Sequence, residues 1–364
     1  MSLAEADRTK LVALLGELAG TVEDLVLSGL TTASEATRQA LNVAFQEASR
    51  LRLLRLGSTL RVANEELGRF TRNEADFSRK RLFFFLARAW MLSHGLARAL
   101  HEKDDAQLAR LLWTPAAARV EQLEVVTLGV VKKVIRGVAV TFEFRLRALS
   151  DGRRLTWACV FPLRRGVDIP PEGFLHLPHK QRFKAIDFLA GKVIAIEKAA
   201  VAPDESVGRI TLADESTVTA GEAFGEWDRF RSWEPAAALA RIQDYSPSPF
   251  DLEVEMQEEV VLDDWQLGEA AEDGDGQVAY PVRSGAATWQ AVVAPGAQGQ
   301  ALRKALEGLR KKKKRPPLFG LMHYERCRLA LQPLAVFGPN GPEHLTISDE
   351  KLDRAALLKA LKLT

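Results

Sequence analysis

The hydrophobic period of this chain changes near Val120, and that change commits it to a helical segment followed by sheet. Up to residue 115 apolar side chains recur every three or four positions. Leu11, Leu14, Leu15, Leu18, Val22 and Leu25 make one such stripe, with Ser2 and Glu5 at capping-box spacing before it and Gly29 as its stop. A second start at Thr32 and Glu35 leads through Leu41, Ala44 and Ala48 to a break at Gly57 and Ser58. Helices over Thr59–Phe70 and Asp76–Glu102 follow, the second containing LFFFLARAWML, which reads as a buried helix. Short connections between helices favour antiparallel packing, so residues 1–115 are expected to form an α-helical bundle. Its arginines, among them Arg50, Arg52, Arg55, Arg61 and Arg69, alternate with glutamates as on a solvated face.

Beyond Val120 the period is two. Val138, Val140, Phe142, Phe144 and Leu146 alternate with Ala139, Thr141, Glu143, Arg145 and Arg147, the pattern of a strand with one buried face. The turn Ser150–Asp151–Gly152 joins it to Arg154–Leu163 as a hairpin. Leu123–Ile135 precedes them, and Lys192–Val201 and Arg209–Leu212 follow, with the helical QRFKAIDFLAG before the fourth strand. Five strands with a helix between the third and fourth is the layout of an OB-type barrel, so residues 119–220 are assigned to an antiparallel β-barrel-like domain. Residues 221–249 read as a connector. Residues 250–364 read as an α+β domain, with strands at Val278–Val282, Thr288–Ala294 and Leu318–Phe337, an amphipathic helix at Gln298–Leu309 and a closing helix after Ser348. The fold class is multidomain α+β.

Chemistry-bearing motifs are scarce. Phosphate-loop, GxGxxG, GxSxG and HExxH patterns are absent, so a non-enzymatic protein without a cofactor is expected. Two cysteines, Cys159 and Cys327, give neither a disulfide framework nor a CxxC metal pair. His176 and His179 stand three apart in HLPHKQR, and His323 and Cys327 share HYERC, but neither set has a defined ligand or nucleophile geometry, and no metal is expected. The N-terminal stretch lacks a basic start and cleavage site, and LFFFLARAWML is shorter than the ~20 residues that span a bilayer. A cytoplasmic protein away from membranes is expected.

Net charge is only +2, from 50 basic and 48 acidic residues, yet it is unevenly spread. Ile242–Tyr280 holds twelve Asp or Glu and no Lys or Arg; Gln300–Arg328 holds ten Lys or Arg against Glu307 and Glu325. The second block contains LRKKKKRPPLFG, in which Pro316 and Pro317 stop a helix behind a basic run. That run complements a helix C-terminus, neutralises phosphates, or meets an acidic partner or anionic lipid. Two functions are carried forward. One is an adaptor or scaffold in a cytoplasmic assembly, with protein partners or self-association driven by the opposed charge blocks. The other is nucleic-acid binding, with Arg145, Arg147, Arg153, Arg154 and Trp157 on the barrel face and Lys311, Lys312, Lys313, Lys314 and Arg315 as candidate contacts.

Overall fold

The computed structural model describes residues 5–30, 35–51, 53–74, 77–112, 117–135, 139–163, 169–179, 183–202, 207–231, 235–244, 256–272, 277–294, 297–325 and 328–347. The chain divides into two compact units, residues 1–115 with 248–250, and residues 116–247 with 251–364. The capping positions Ser2 and Thr32, the start at Asp76, Arg52, Cys327, most of the alternation at 250–256 and the segment after Ser348 lie outside the described residues.

The first unit consists of α1 (Glu5–Ser28), α2 (Glu35–Arg50), α3 (Leu54–Thr71), α4 (Arg79–Glu102) and α5 (Asp105–Leu112). Leu11, Leu15, Leu18, Val22 and Leu25 of the expected stripe are buried, joined by Leu41, Leu60, Leu92 and Leu111. The expected break at Gly57 and Ser58 falls inside α3, where the Gly57 N–H donates to Leu53 O at 2.8 Å. The chain breaks instead between Arg50 and Leu54. A glycine inside a helix costs at most about 1 kcal/mol, and at Gly57, in the first turn of α3, burial of Leu56 and Leu60 outweighs it.

Two further expectations need correction. Arg55 and Arg69 are buried rather than solvated. Glu66, itself 1% exposed, receives Arg69 at 2.9 Å and Arg81 at 2.8 Å, and it accepts the Ser78 N–H. Ser78 in turn caps α4 by accepting from Arg81 N. The LFFFLARAWML helix is buried along one side only. Leu82, Leu86, Ala89 and Leu92 face the core, whereas Phe83 and Phe84 are 59% and 54% exposed. Three consecutive phenylalanines step round a helix by 100° each, so one core face cannot take them all.

The second unit opens with β1 (Ala118–Ile135), β2 (Ala139–Ala148), β3 (Arg154–Pro162), β4 (Lys192–Ala202), β5 (Gly208–Thr211) and β6 (Thr217–Ala223). β2 and β3 form the expected hairpin, with Phe144 opposite Trp157. β3 runs parallel to β5, β5 antiparallel to β4, and β4 antiparallel to the first half of β1, whose second half pairs β2. The pairings thus lead from β1 through β2, β3, β5 and β4 back to β1, and the sheet is barrel-like. β6, on the outer side of β4, is a strand the sequence pattern did not suggest. The expected helix before β4 is a short 3-10 turn, Ala185–Leu189.

After α6 (Pro235–Asp244) come β7 (Glu258–Leu262), β8 (Gln266–Leu267), β9 (Ala271–Glu272), β10 (Val278–Ser284), β11 (Ala287–Val293), α7 (Ala297–Arg310), β12 (Leu318–Glu325), β13 (Arg328–Gly338) and β14 (Gly341–His344). This sheet repeats the connectivity of the first. β7 pairs β12 and its continuation β8 pairs β10, β10 pairs β11, β11 runs parallel to β13, and β13 pairs β12. The helix α7 stands between the third and fourth strands, where the first sheet has its 3-10 turn.

Segments that the sequence divides into a barrel-like domain, a connector and an α+β domain share this one unit. Val126, Leu128 and Val131 of β1 pack with Phe319, Leu321, Leu334 and Phe337 of the second sheet, and Trp227 and Phe230 from the connector complete the seam. At its tightest point a Cβ on Gly129 would lie 2.8 Å from Leu334 Cβ and from the Phe319 ring, so only glycine allows this approach.

Candidate functional site

The basic residues of the second unit fall into two sets with opposite surroundings. Arg145, Arg147 and Arg154 of the first set stand on the outward side of β2 and β3, as alternation requires, but that side is covered at their positions, whereas Val160 further along β3 is 58% exposed. Arg145 is 1% exposed, with Nη2 bonded to Gln257 Oε1 at 2.7 Å and 2.5 Å from Glu143 Oε1. Arg147 Nη2 lies 2.6 Å from Glu259 Oε2, both side chains being at most 5% exposed. Arg154 shares Glu258 Oε2 with Arg241, each at 3.1 Å. These arginines tie the first sheet to the entry of the second and offer no free edge to a phosphate. Arg153 is half exposed and lies 3.4 Å from Asp151 in its own turn.

Trp157 is likewise a core residue. Its ring stacks on Phe144 at 5.1 Å and on Phe188 at 4.6 Å and is 5% exposed, which rules it out as a base-stacking platform. His179 joins the same cluster, stacked on Phe183 at 4.6 Å with Nε2 3.1 Å from Cys159 Sγ. Burial pushes the Cys159 thiol far up and His179 down, so the pair stays neutral and holds no thiolate. No cluster of three or more metal-ligating side chains exists among the described residues.

The second set is the lysine run, and its geometry is distinct. α7 buries Leu302, Leu306 and Leu309 and ends at Arg310. Arg315 then turns back on it, donating from Nε to Leu309 O and from Nη2 to Arg310 O, each at 3.1 Å. Its guanidinium lies 5.6 Å from the Trp265 ring centroid, and Trp265 Nε1 donates to Pro316 O at 2.9 Å. Two of the orphan carbonyls at the helix end, those of Leu309 and Arg310, are therefore satisfied by Arg315. Lys311–Lys314, held between helix and cap, are all exposed. Among the described residues none of the four is in an ion pair.

The described acids of the acidic block do not neutralise them. Glu258 and Glu259 are taken by arginines of the first sheet and α6, and Asp263 lies 3.5 Å from Arg231. Among the described acids of that block only Glu269 reaches the basic block, 3.8 Å from Arg310. Four ammonium groups on a loop tied at both ends attract polyanions, and the tie lowers the entropy lost on binding. By contrast, the shallow groove along β1 and β4 is lined by Gln122, Glu124, Ser150 and Glu197, whose carboxylates repel phosphate. Trp265 and Arg315 as a pinning pair escape sequence analysis because they stand 50 positions apart.

No protein-family model matches the chain, and no curated protein matches it. Among solved structures it is similar to the HINa domain of Ifi202 in complex with a 20-bp duplex DNA, at 10% identity over 60% of this chain and 94% of that one, TM-score 0.31. It is similar also to a murine DNA-binding protein bound to double-stranded DNA, at 11% identity over 61% and 95%, TM-score 0.29. A replication protein A heterotrimer bound to single-stranded DNA matches at 12% identity over 60% and 50%, TM-score 0.27. Identities and scores of this size leave the function to be argued from the chain's own geometry.

Proposed function

We propose that residues 116–364 form a nucleic-acid-binding unit of two OB-type barrels in tandem, and that the Lys311–Lys314 loop contacts the phosphate backbone. The observation that carries the proposal is the pinned and exposed lysine loop, in no ion pair among the described residues. The strand connectivity supports it: the six-stranded and the eight-stranded sheet each contain a circuit of pairings in the order of an OB-type barrel, with the helix or turn before the fourth strand of that circuit, an architecture that serves oligonucleotide binding. The connectivity is an analogy of fold, so the lysines bear the weight. Point-charge contacts to phosphate give affinity without sequence readout.

The test is fluorescence anisotropy of labelled single-stranded and duplex oligonucleotides over a salt series, with wild type and a Lys311–Lys314 to alanine variant. Each neutralised phosphate contributes ~0.7 to 0.9 to the slope of log K against log salt, so a variant losing four such contacts is expected to flatten the slope by about 3 to 3.5. A variant that binds with the wild-type slope removes the role of the loop, and a wild type that binds no oligonucleotide at low salt removes the proposal.

A second reading, a non-enzymatic adaptor or scaffold acting through protein contacts, is supported by the first unit, where α4 leaves Phe83 and Phe84 in solvent. The two readings concern different units of the chain and are compatible.

A further inference from the structure

The outward side of α4 breaks two rules of a surface helix. Lys80, Phe83, Phe84, Ala87 and Trp90 follow one another at helical spacing, and none of them is buried in the bundle. Phe83 and Phe84 are more than half exposed and Trp90 is 36% exposed, so the stripe is apolar where water is expected. Moreover, the first turn contains no acidic residue and starts Arg79–Lys80–Arg81. A helix N-terminus carries partial positive charge and favours anions, so cations there cost stability. Glu66 neutralises Arg81, while Arg79 and Lys80 remain exposed without an ion pair among the described residues.

α1 extends this surface. It runs antiparallel beside α4, since Arg8 Nη1 donates to Leu100 O at 3.5 Å and Trp90 Nε1 donates to Glu23 Oε1 at 2.6 Å. One turn beyond Glu23 is Leu27, 85% exposed; one and two turns before it are Gly20 and Gly16, where a Cβ would meet nothing within 4 Å. The aromatic ridge on α4 therefore lies beside Leu27, and past Trp90 and Glu23 the surface continues to a low floor at Gly20 and Gly16 of α1.

We infer that this surface seats an acidic amphipathic helix from a protein partner. Its apolar side lies on Phe83, Phe84, Trp90 and Leu27, and its carboxylates meet Arg79 and Lys80. Apolar anchors at helical spacing that lead on to a floor of small residues fit a rod laid lengthwise on the surface. The uncompensated cations at one end fix the sign of the partner's charge and the end at which it gathers. A nucleic-acid backbone calls for cations along its whole track, and a membrane-bound helix carries them along its whole polar face. α4 has neither distribution, because the side opposite the stripe is the core of the bundle.

The experiment uses the full chain and two synthetic peptides of ~20 residues, long enough to be helical, one with leucine and glutamate at helical spacing and one with lysine replacing glutamate. The glutamate peptide is expected to bind and the lysine peptide not. Phe83→Ser with Phe84→Ser, and separately Arg79→Glu with Lys80→Glu, are each expected to weaken binding about tenfold or more, at an unchanged thermal midpoint. Equal binding of both peptides, failure of the glutamate peptide to bind, or indifference to the substitutions overturns the inference. So does loss of binding to phosphatidylserine vesicles or to an oligonucleotide, in place of the peptide, on making these substitutions. The Lys311–Lys314 alanine variant is expected to keep wild-type peptide affinity, so this inference and the nucleic-acid proposal fail by separate measurements.

Discussion

Replacing Arg147 by alanine separates an internal tie from a binding contact. Its partner Glu259 is 1% exposed and lies 2.6 Å from Nη2, so truncation leaves a carboxylate buried without its counter-charge. Breaking one side of such a pair costs about 3 to 5 kcal/mol. Because the chain has two units, unfolding is followed with a probe of the second alone, such as hydrogen exchange at β2 and β12 under increasing urea. With a denaturant slope of ~1 to 3 kcal/mol per molar, the midpoint is expected to fall by about 1 M or more. Arg147→Met combined with Glu259→Leu removes both charges and is expected to recover most of the loss, since an apolar pair of similar volume substitutes well for a buried ion pair. Oligonucleotide affinity of the folded Arg147→Ala protein should match wild type. A variant that keeps its stability within ~0.5 kcal/mol, as surface substitutions do, but loses oligonucleotide affinity would show that Arg147 faces solution and refute the internal role.

The seam makes a second prediction. Gly129→Ala puts a methyl group 2.8 Å from Leu334 Cβ and the Phe319 ring and is expected to destabilise the second unit by about 1 to 3 kcal/mol in the same urea assay. A third concerns pH. Burial holds His344 down to about 4 from its ordinary 6.5, so the folded state keeps it neutral while the unfolded state takes a proton. Stability is therefore complete above pH 6.5 and falls as pH drops towards 4, by on the order of 3 kcal/mol, and His344→Gln is expected to remove that part of the slope in urea melts at pH 4 to 7.

The helical and sheet halves were legible because a period of 3.6 and a period of two are written in local sequence, and the β2–β3 hairpin was legible because its turn is short. The break expected at Gly57 was displaced because burial outweighed the cost of glycine, a balance struck by residues far along the chain. The kinship of the two sheets was hidden for a different reason. The strand that pairs both neighbours is continuous in the first sheet, 18 residues of β1, but in the second it is split into β7 and β8, which have five and two. Alternation correctly put Arg145 and Arg147 on the side of β2 away from the Phe144 core. It could not say that β7 and the segment before it would cover that side. Period reports which way a side chain points, and only tertiary structure decides whether water is there.

The charges of the second unit sort by chemistry as well as by position. Arginine supplies the ties: Arg145, Arg147 and Arg154 to Gln257, Glu259 and Glu258 in and around the seam, and Arg315 to the end of α7. A planar guanidinium with several donors can engage two acceptors at once and tolerates burial when paired. Lysine supplies the free charge at 311–314, as compact, hydrated ammonium groups that suit phosphate without fixing its orientation. The near-neutral total of the chain conceals this division: Glu258 and Glu259 are held by arginines, while Lys311–Lys314 are in no ion pair among the described residues. Salt screens exposed charges far more than buried pairs. Raising ionic strength should therefore release a polyanion from the lysine loop well before it loosens the seam between the sheets.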